Sequence, residues 1–199
     1  MPMARRSRSA RDLRFGAYFF LLGLAFLLIE MAFIQKFILF LSHPLYSVAV
    51  VLAAFLVFAG LGSRFSGILG RDAAVPVAVA TIAAITVSYI ALLPTVFSLC
   101  MGLADGAKVA ISVALIAPLA FVMGMPFPLG LKRLAEGAGD FIPWAWGING
   151  FASVLSASLA TLLAIEFGFT TVLFLAVAAY GGAALAIRRW KSAPDRRHG

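Results

Sequence analysis

Residues 15–41 read FGAYFFLLGLAFLLIEMAFIQKFILFL and run into Ser42-His43-Pro44. A helix needs roughly 20 apolar residues to cross a hydrocarbon core about 30 Å thick, so this stretch is long enough to span a membrane, with residues to spare for tilting or for a break near Gln35. Inside it sits Glu30. A carboxylate within a span is costly unless something pairs it or uses it. These two features set the environment of the chain and its first candidate site.

Working outward, five more apolar runs follow: Tyr46 to Leu61, Val75 to Phe97, Lys108 to Leu129, Trp144 to Ile165 and Thr170 to Ile187. Each is continuously apolar, whereas the strands of a membrane barrel alternate over about 10 residues. The expected fold is all-α, a polytopic bundle of six transmembrane helices over residues 15–187. A basic head, residues 1–14, and a basic tail, residues 188–199, flank it. The final residues, Ala193 to Gly199, are expected to be disordered. The longest stretch left between spans is Gly130 to Pro143, too short for a soluble domain. The first run lacks a small-residue cleavage pattern and reads as an uncleaved span rather than a signal peptide.

Composition agrees. Of 199 residues 63% are hydrophobic and 12% charged, with mean hydropathy +1.03, where soluble domains run nearer half apolar and about a quarter charged. The net charge of +8 does not point to nucleic acid, because ten of the sixteen basic residues lie in the two tails. Flanking clusters of this kind are topology signals and contacts for anionic lipid. With both termini cytoplasmic, the Arg64/Arg71 and Lys132/Arg133 segments also fall inside, as the positive-inside rule requires. His43, Asp105 and Glu166 then lie outside. The expected location is a membrane, multi-pass, with the lipid bilayer as the first partner. Cys100 is the single cysteine, so no disulfide or Cys-based metal site forms within one chain.

Candidate site residues follow from polar groups in apolar runs. Glu30 lies about 22 Å along the helix from Phe15, past the midplane. It reads as a proton-linked or cation-binding carboxylate, or as a packing residue bonded to a neighbouring helix or to Lys36. Gln35, Lys36 and His43 extend a polar thread from it, with Lys36 able to snorkel to the headgroups. Asn149 sits one turn inside the fifth span, where its amide needs a partner. Two further segments suggest gating or packing. Gly124-Met125-Pro126-Phe127-Pro128-Leu129-Gly130, with Pro118 before it, lacks several backbone donors and should kink or unwind near the inner face. Trp144 and Trp146, behind Pro143, form an interfacial aromatic anchor. Beyond them Ala152, Ser156 and Ala160 make a small-residue face for a close helix neighbour. Gly60-Leu61-Gly62-Ser63-Arg64 reads as a tight inner turn. No nucleophile, metal set or cofactor motif joins Glu30 and His43, so no catalytic residue, metal or cofactor is expected.

Leu28-Ile29-Glu30-Met31, Ile34-Gln35-Lys36-Phe37, His43-Pro44, Gly60-Leu61-Gly62-Ser63, the Gly124–Gly130 segment and Ile142-Pro143-Trp144-Ala145-Trp146-Gly147-Ile148-Asn149-Gly150 resemble one family in order. It is the C-terminal membrane half of large bacterial spermidine-synthase-like membrane proteins. There, helices related to half of a major facilitator fold flank a soluble Rossmann domain of the aminopropyltransferase and methyltransferase type. The resemblance implies a transporter-like half-unit in the bacterial inner membrane; it names no solute, and Glu30 as charge partner with Asn149 as polar contact points to a small cationic one. It also implies pairing with itself or a second six-helix half, or scaffolding of a soluble Rossmann-type transferase at the inner face. It does not extend to aminopropyl transfer, since this chain carries neither the glycine-rich loop nor the acidic cluster of that domain. The resemblance leaves open a stand-alone relative, a split-gene subunit or the trailing part of a larger protein.

Overall fold

The computed structural model describes residues 2–68 and 74–188, with side chains from Asp12 onward. Seven α-helices carry nearly all of it: α1 (Pro2–Leu41), α2 (Pro44–Phe65), α3 (Ala74–Cys100), α4 (Asp105–Met123), α5 (Pro126–Gly137), α6 (Ile142–Phe167) and α7 (Phe169–Arg188). Among the described residues there is no strand. Six stretches are long and apolar enough to cross a membrane, α4 and α5 counting as one interrupted span. The arrangement is compatible with a membrane helix bundle. Arg71, Asp72 and the tail from Arg189 lie outside the described residues.

The connections explain the boundaries. Ser42 takes φ +62° and, with His43, turns the chain from α1 into α2 in two residues. Pro44 follows as the first residue of α2, where its missing N–H costs nothing. Gly168 joins α6 to α7 alone with φ +81°, a conformation that favours glycine. Consecutive spans therefore run antiparallel. Arg14, Arg64, Lys132, Arg133 and Arg188 gather at one end, the basic end, while His43, Asp105 and Glu166 mark the far end.

The basic head is helical and continuous with the first span, because α1 runs unbroken from Pro2. Its 40 residues extend about 60 Å, twice what the hydrocarbon needs. The Gly60–Arg64 segment is not a turn: α2 stays helical to Phe65, and a short 3-10 turn, Ser66–Ile68, follows. The Gly130–Pro143 stretch is largely helix rather than loop. Pro126 and Pro128 stand in the first turn of α5, where no intrahelical donor is required, so the chain resumes a helix at once.

The first helix is the axis of the bundle. Its apolar stretch is 61% buried, against 17% for α6 and 28–39% for the others. It packs chiefly along α6 and α7 and then against α2, while α2 lies along α4 and α3 bridges α7 and α4. Burial in lipid gains little hydrophobic free energy, since lipid tails are as apolar as the core. Dispersion and close packing hold the helices instead. The α1–α6 contact uses the expected small-residue face. Ala152, Ser156 and Ala160 are buried there, and Ser156 Oγ donates to the Leu24 carbonyl at 2.7 Å. The α2–α4 contact is reciprocal. Gly62 lies against the Phe121 carbonyl and Gly124 against the Ala59 carbonyl, with no room for a Cβ at either.

Candidate functional site

Glu30 projects from the C-terminal half of α1 and is 5% exposed, the one buried carboxylate among the described residues. It makes no hydrogen bond or ion pair there. Lys36 does not neutralise it: its Nζ lies 4.7 Å from the ring centroid of Phe169 on α7, a cation–π contact. Six residues separate the two along α1, which places them on different faces of the helix.

An aromatic stack closes the far side of Glu30. Phe33 meets Phe55 edge-on at 5.7 Å and Tyr89 at 6.1 Å. Phe37 meets Phe97 at 5.1 Å, and Phe97 stacks on Phe40 at 4.4 Å. These rings tie α1, α2 and α3 together between Glu30 and the His43 turn. Pairs of this kind are worth about 0.5–1.5 kcal/mol each beyond their area.

Two buried hydroxyls, one on α3 and one on α7, carry no partner. Thr86 on α3 and Tyr180 on α7 are buried at 0% and 1% exposure, and neither Oγ1 nor OH is hydrogen-bonded. Their neighbours behave differently. Thr81 and Ser88 on α3 and Thr171 on α7 each donate to the carbonyl four residues back. Tyr18 donates to the Pro126 carbonyl at 2.6 Å and Tyr89 to the Leu115 carbonyl at 2.7 Å. An unsatisfied buried hydroxyl costs about 1–3 kcal/mol.

The depths follow from contacts between the helices. The Phe33–Tyr89 ring contact sets α1 and α3 in register. Those helices run the same way, so Glu30 and Thr86, each three residues earlier, share a level. Leu21 lies against Gly182 of the antiparallel α7. Tyr180 therefore starts about 10 Å below Glu30. Helical side chains lean toward their own N-terminus, so Tyr180 leans outward and Glu30 inward, but Leu21, which meets α7, lies nine residues from Glu30 and on the opposite face of α1.

The other sequence-derived candidates do not join this group. Gln35 is half-buried and His43 exposed, with His43 Nδ1 3.3 Å from the Leu41 carbonyl. His43 lies about 20 Å beyond Glu30 along the chain axis. Asn149 packs against Gly23 of α1, about 10 Å toward the basic end, and its carbonyl accepts from Ser153 Oγ at 2.9 Å. Gly124 and Met125 form the break between α4 and α5, with Pro118 accommodated inside α4. Pro126 is buried and Pro128 half-buried. Trp144 and Trp146 are 66% and 59% exposed, and Trp146 meets Phe127 of α5 edge-on at 4.7 Å. Beside Trp144 a cleft of about 430 Å³ opens at the basic end, with Asp12, Glu136 and Asp140 in its lining.

No group of three or more metal-ligating side chains occurs among the described residues. Comparison with family models, curated proteins and solved structures finds no match for this chain.

Proposed function

We propose that this chain is a non-catalytic six-helix half-unit of a transporter-like protein in a bacterial inner membrane, binding or conducting a small cationic species at Glu30. One observation carries the reading: a carboxylate at mid-span, 5% exposed, has no counter-charge among the described residues. An acid used only for packing would be expected to have a partner, because an uncompensated charge in the hydrocarbon costs several kcal/mol, about 2.5–3.5 even on insertion scales. The gathering of Arg14, Arg64, Lys132, Arg133 and Arg188 at one end supports cytoplasmic termini. The resemblance to spermidine-synthase-like membrane proteins supports the transporter-like half and pairing with a second six-helix unit.

The test is flux in proteoliposomes. Wild-type protein should conduct at least one of Na⁺, K⁺, H⁺ or a diamine, and Glu30→Gln should abolish that flux without loss of expression. Equal flux in both would remove Glu30 from the pathway. A second reading, a membrane anchor for a soluble Rossmann-type transferase, draws on the cleft beside α5 and Trp144. That reading expects such a transferase to co-purify in mild detergent and to be lost when Trp144 is replaced by alanine.

A further inference from the structure

We propose that a second copy of this chain docks over the seam between α2 and α6, and that Glu30 of each copy opens into the interface so formed. This rests on the reading of Glu30 as a cation-binding group and names the surface that completes its site.

The seam follows from contacts along α1. Gly16, Gly23 and Glu30 recur every seven residues and so share one face of the helix. Gly16 lies against Ile148 of α6 and Gly23 against Asn149. Phe19, Phe26 and Phe33 make the neighbouring line, and the last two both meet Phe55 of α2. Glu30, four residues after Phe26 and three before Phe33, therefore stands between α6 and α2. Those two helices pack on α1 but not on each other. Their apolar stretches are also the least buried of the six, at 28% for α2 and 17% for α6. A carboxylate that is 5% exposed and without a partner thus lies at the floor of the seam, on the least covered side of the bundle.

The α6 wall of the seam fits a helix. Gly150, Ala157, Thr161 and Ala164 follow at intervals of seven, four and three, which puts them on one face. All four are exposed or half-exposed, and a Cβ on Gly150 would meet nothing within 4 Å. Trp146, one turn before Gly150, meets Phe127 of α5, and Phe127 meets Phe19 of α1. This face therefore turns toward the α2 side of α1. Side chains this small gain little from lipid but let a second helix come close, and the closest approach needs small residues on both helices. A copy of the same strip supplies them. The basic end sets every copy the same way up, so the pair is parallel and two-fold, α6 against α6. Between their end turns α2 and α6 carry no charged side chain. The partner brings no counter-charge, and Glu30 stays available to a cation in a path now closed off from lipid.

Cysteine cross-linking of the full chain in native membranes tests this, in a Cys100→Ala background. Gly150→Cys and Ala157→Cys should each give covalent dimers with a short bis-maleimide, whereas Ala91→Cys, on the outward face of α3, should not. Single-molecule photobleaching in dilute lipid should count two copies per particle. Gly150→Trp sets its ring in open space on one copy, so the variant should fold. It should also weaken dimerisation roughly tenfold or more and lose the Glu30-dependent flux. Single copies in dilute lipid, cross-links at Ala91 but not on α6, or full dimerisation of Gly150→Trp would each overturn the proposal. Dimers through α6 with equal flux in wild type and Glu30→Gln would remove the transport reading and leave the interface. Flux that needs Glu30 in a single copy would overturn the interface and leave the transport reading.

Discussion

The hydroxyl of Tyr18 donates to the carbonyl of Pro126 at 2.6 Å, and so fastens the axial helix to the point where the broken span resumes. Gly130, one turn further along α5, lies directly against the Tyr18 ring. Tyr18→Phe keeps the ring and leaves the Pro126 carbonyl unpaired. The expected loss is about 1–3 kcal/mol, seen as a lower melting temperature in detergent. An unchanged melting temperature would mean that the bond does not hold α5 in place.

The α2–α4 crossing makes a contrast between glycines two residues apart. Gly62→Ala or Gly124→Ala forces a methyl into a backbone carbonyl and should cost about 1–3 kcal/mol. Gly60→Ala meets nothing within 4 Å, and should be neutral or stabilising by up to about 1 kcal/mol from helix propensity. Thermal melts of the three variants check this, and equal effects would contradict the crossing.

Lys36 and Glu30 should be energetically independent. Lys36→Met removes the contact with Phe169 at a cost of about 0.5–1 kcal/mol. In a double-mutant cycle with Glu30→Gln the coupling should stay within about 0.5 kcal/mol. A coupling well above that would restore Lys36 as the counter-charge.

Orientation is open to labelling. Gly102 and Gly137 are exposed and have free space for a side chain. In a Cys100→Ala background, Gly102→Cys should react with an impermeant maleimide on intact spheroplasts. Gly137→Cys should react only after permeabilisation. The opposite pattern would invert the proposed topology.

The spans were legible because each is a continuous apolar run, and the α6 face because its small residues repeat every four positions. Glu30 was legible as the one acid inside a run. Tyr180 and Thr86 were not. A threonine in a span ordinarily bonds the carbonyl four residues back, as Thr171 does, and only three-dimensional structure reveals one that does not. The sole signal for Tyr180 was a large polar ring amid Ala179, Gly181 and Gly182. Sequence adjacency also overstated the company of Glu30, since helix rise carries His43 about 20 Å away. Gly62 looked like a turn residue because glycine serves turns and close crossings alike. Here the helix continues, and the crossing claims it.

The central claim is that Glu30 is a cation-binding carboxylate rather than a packing charge, with H⁺ the first cation to test. Proteoliposomes holding an internal pH dye and an imposed K⁺ diffusion potential test it most directly. The account predicts that wild-type protein lets protons follow the potential and that Glu30→Gln, equally well folded, does not. Indistinguishable proton fluxes through the two would contradict it.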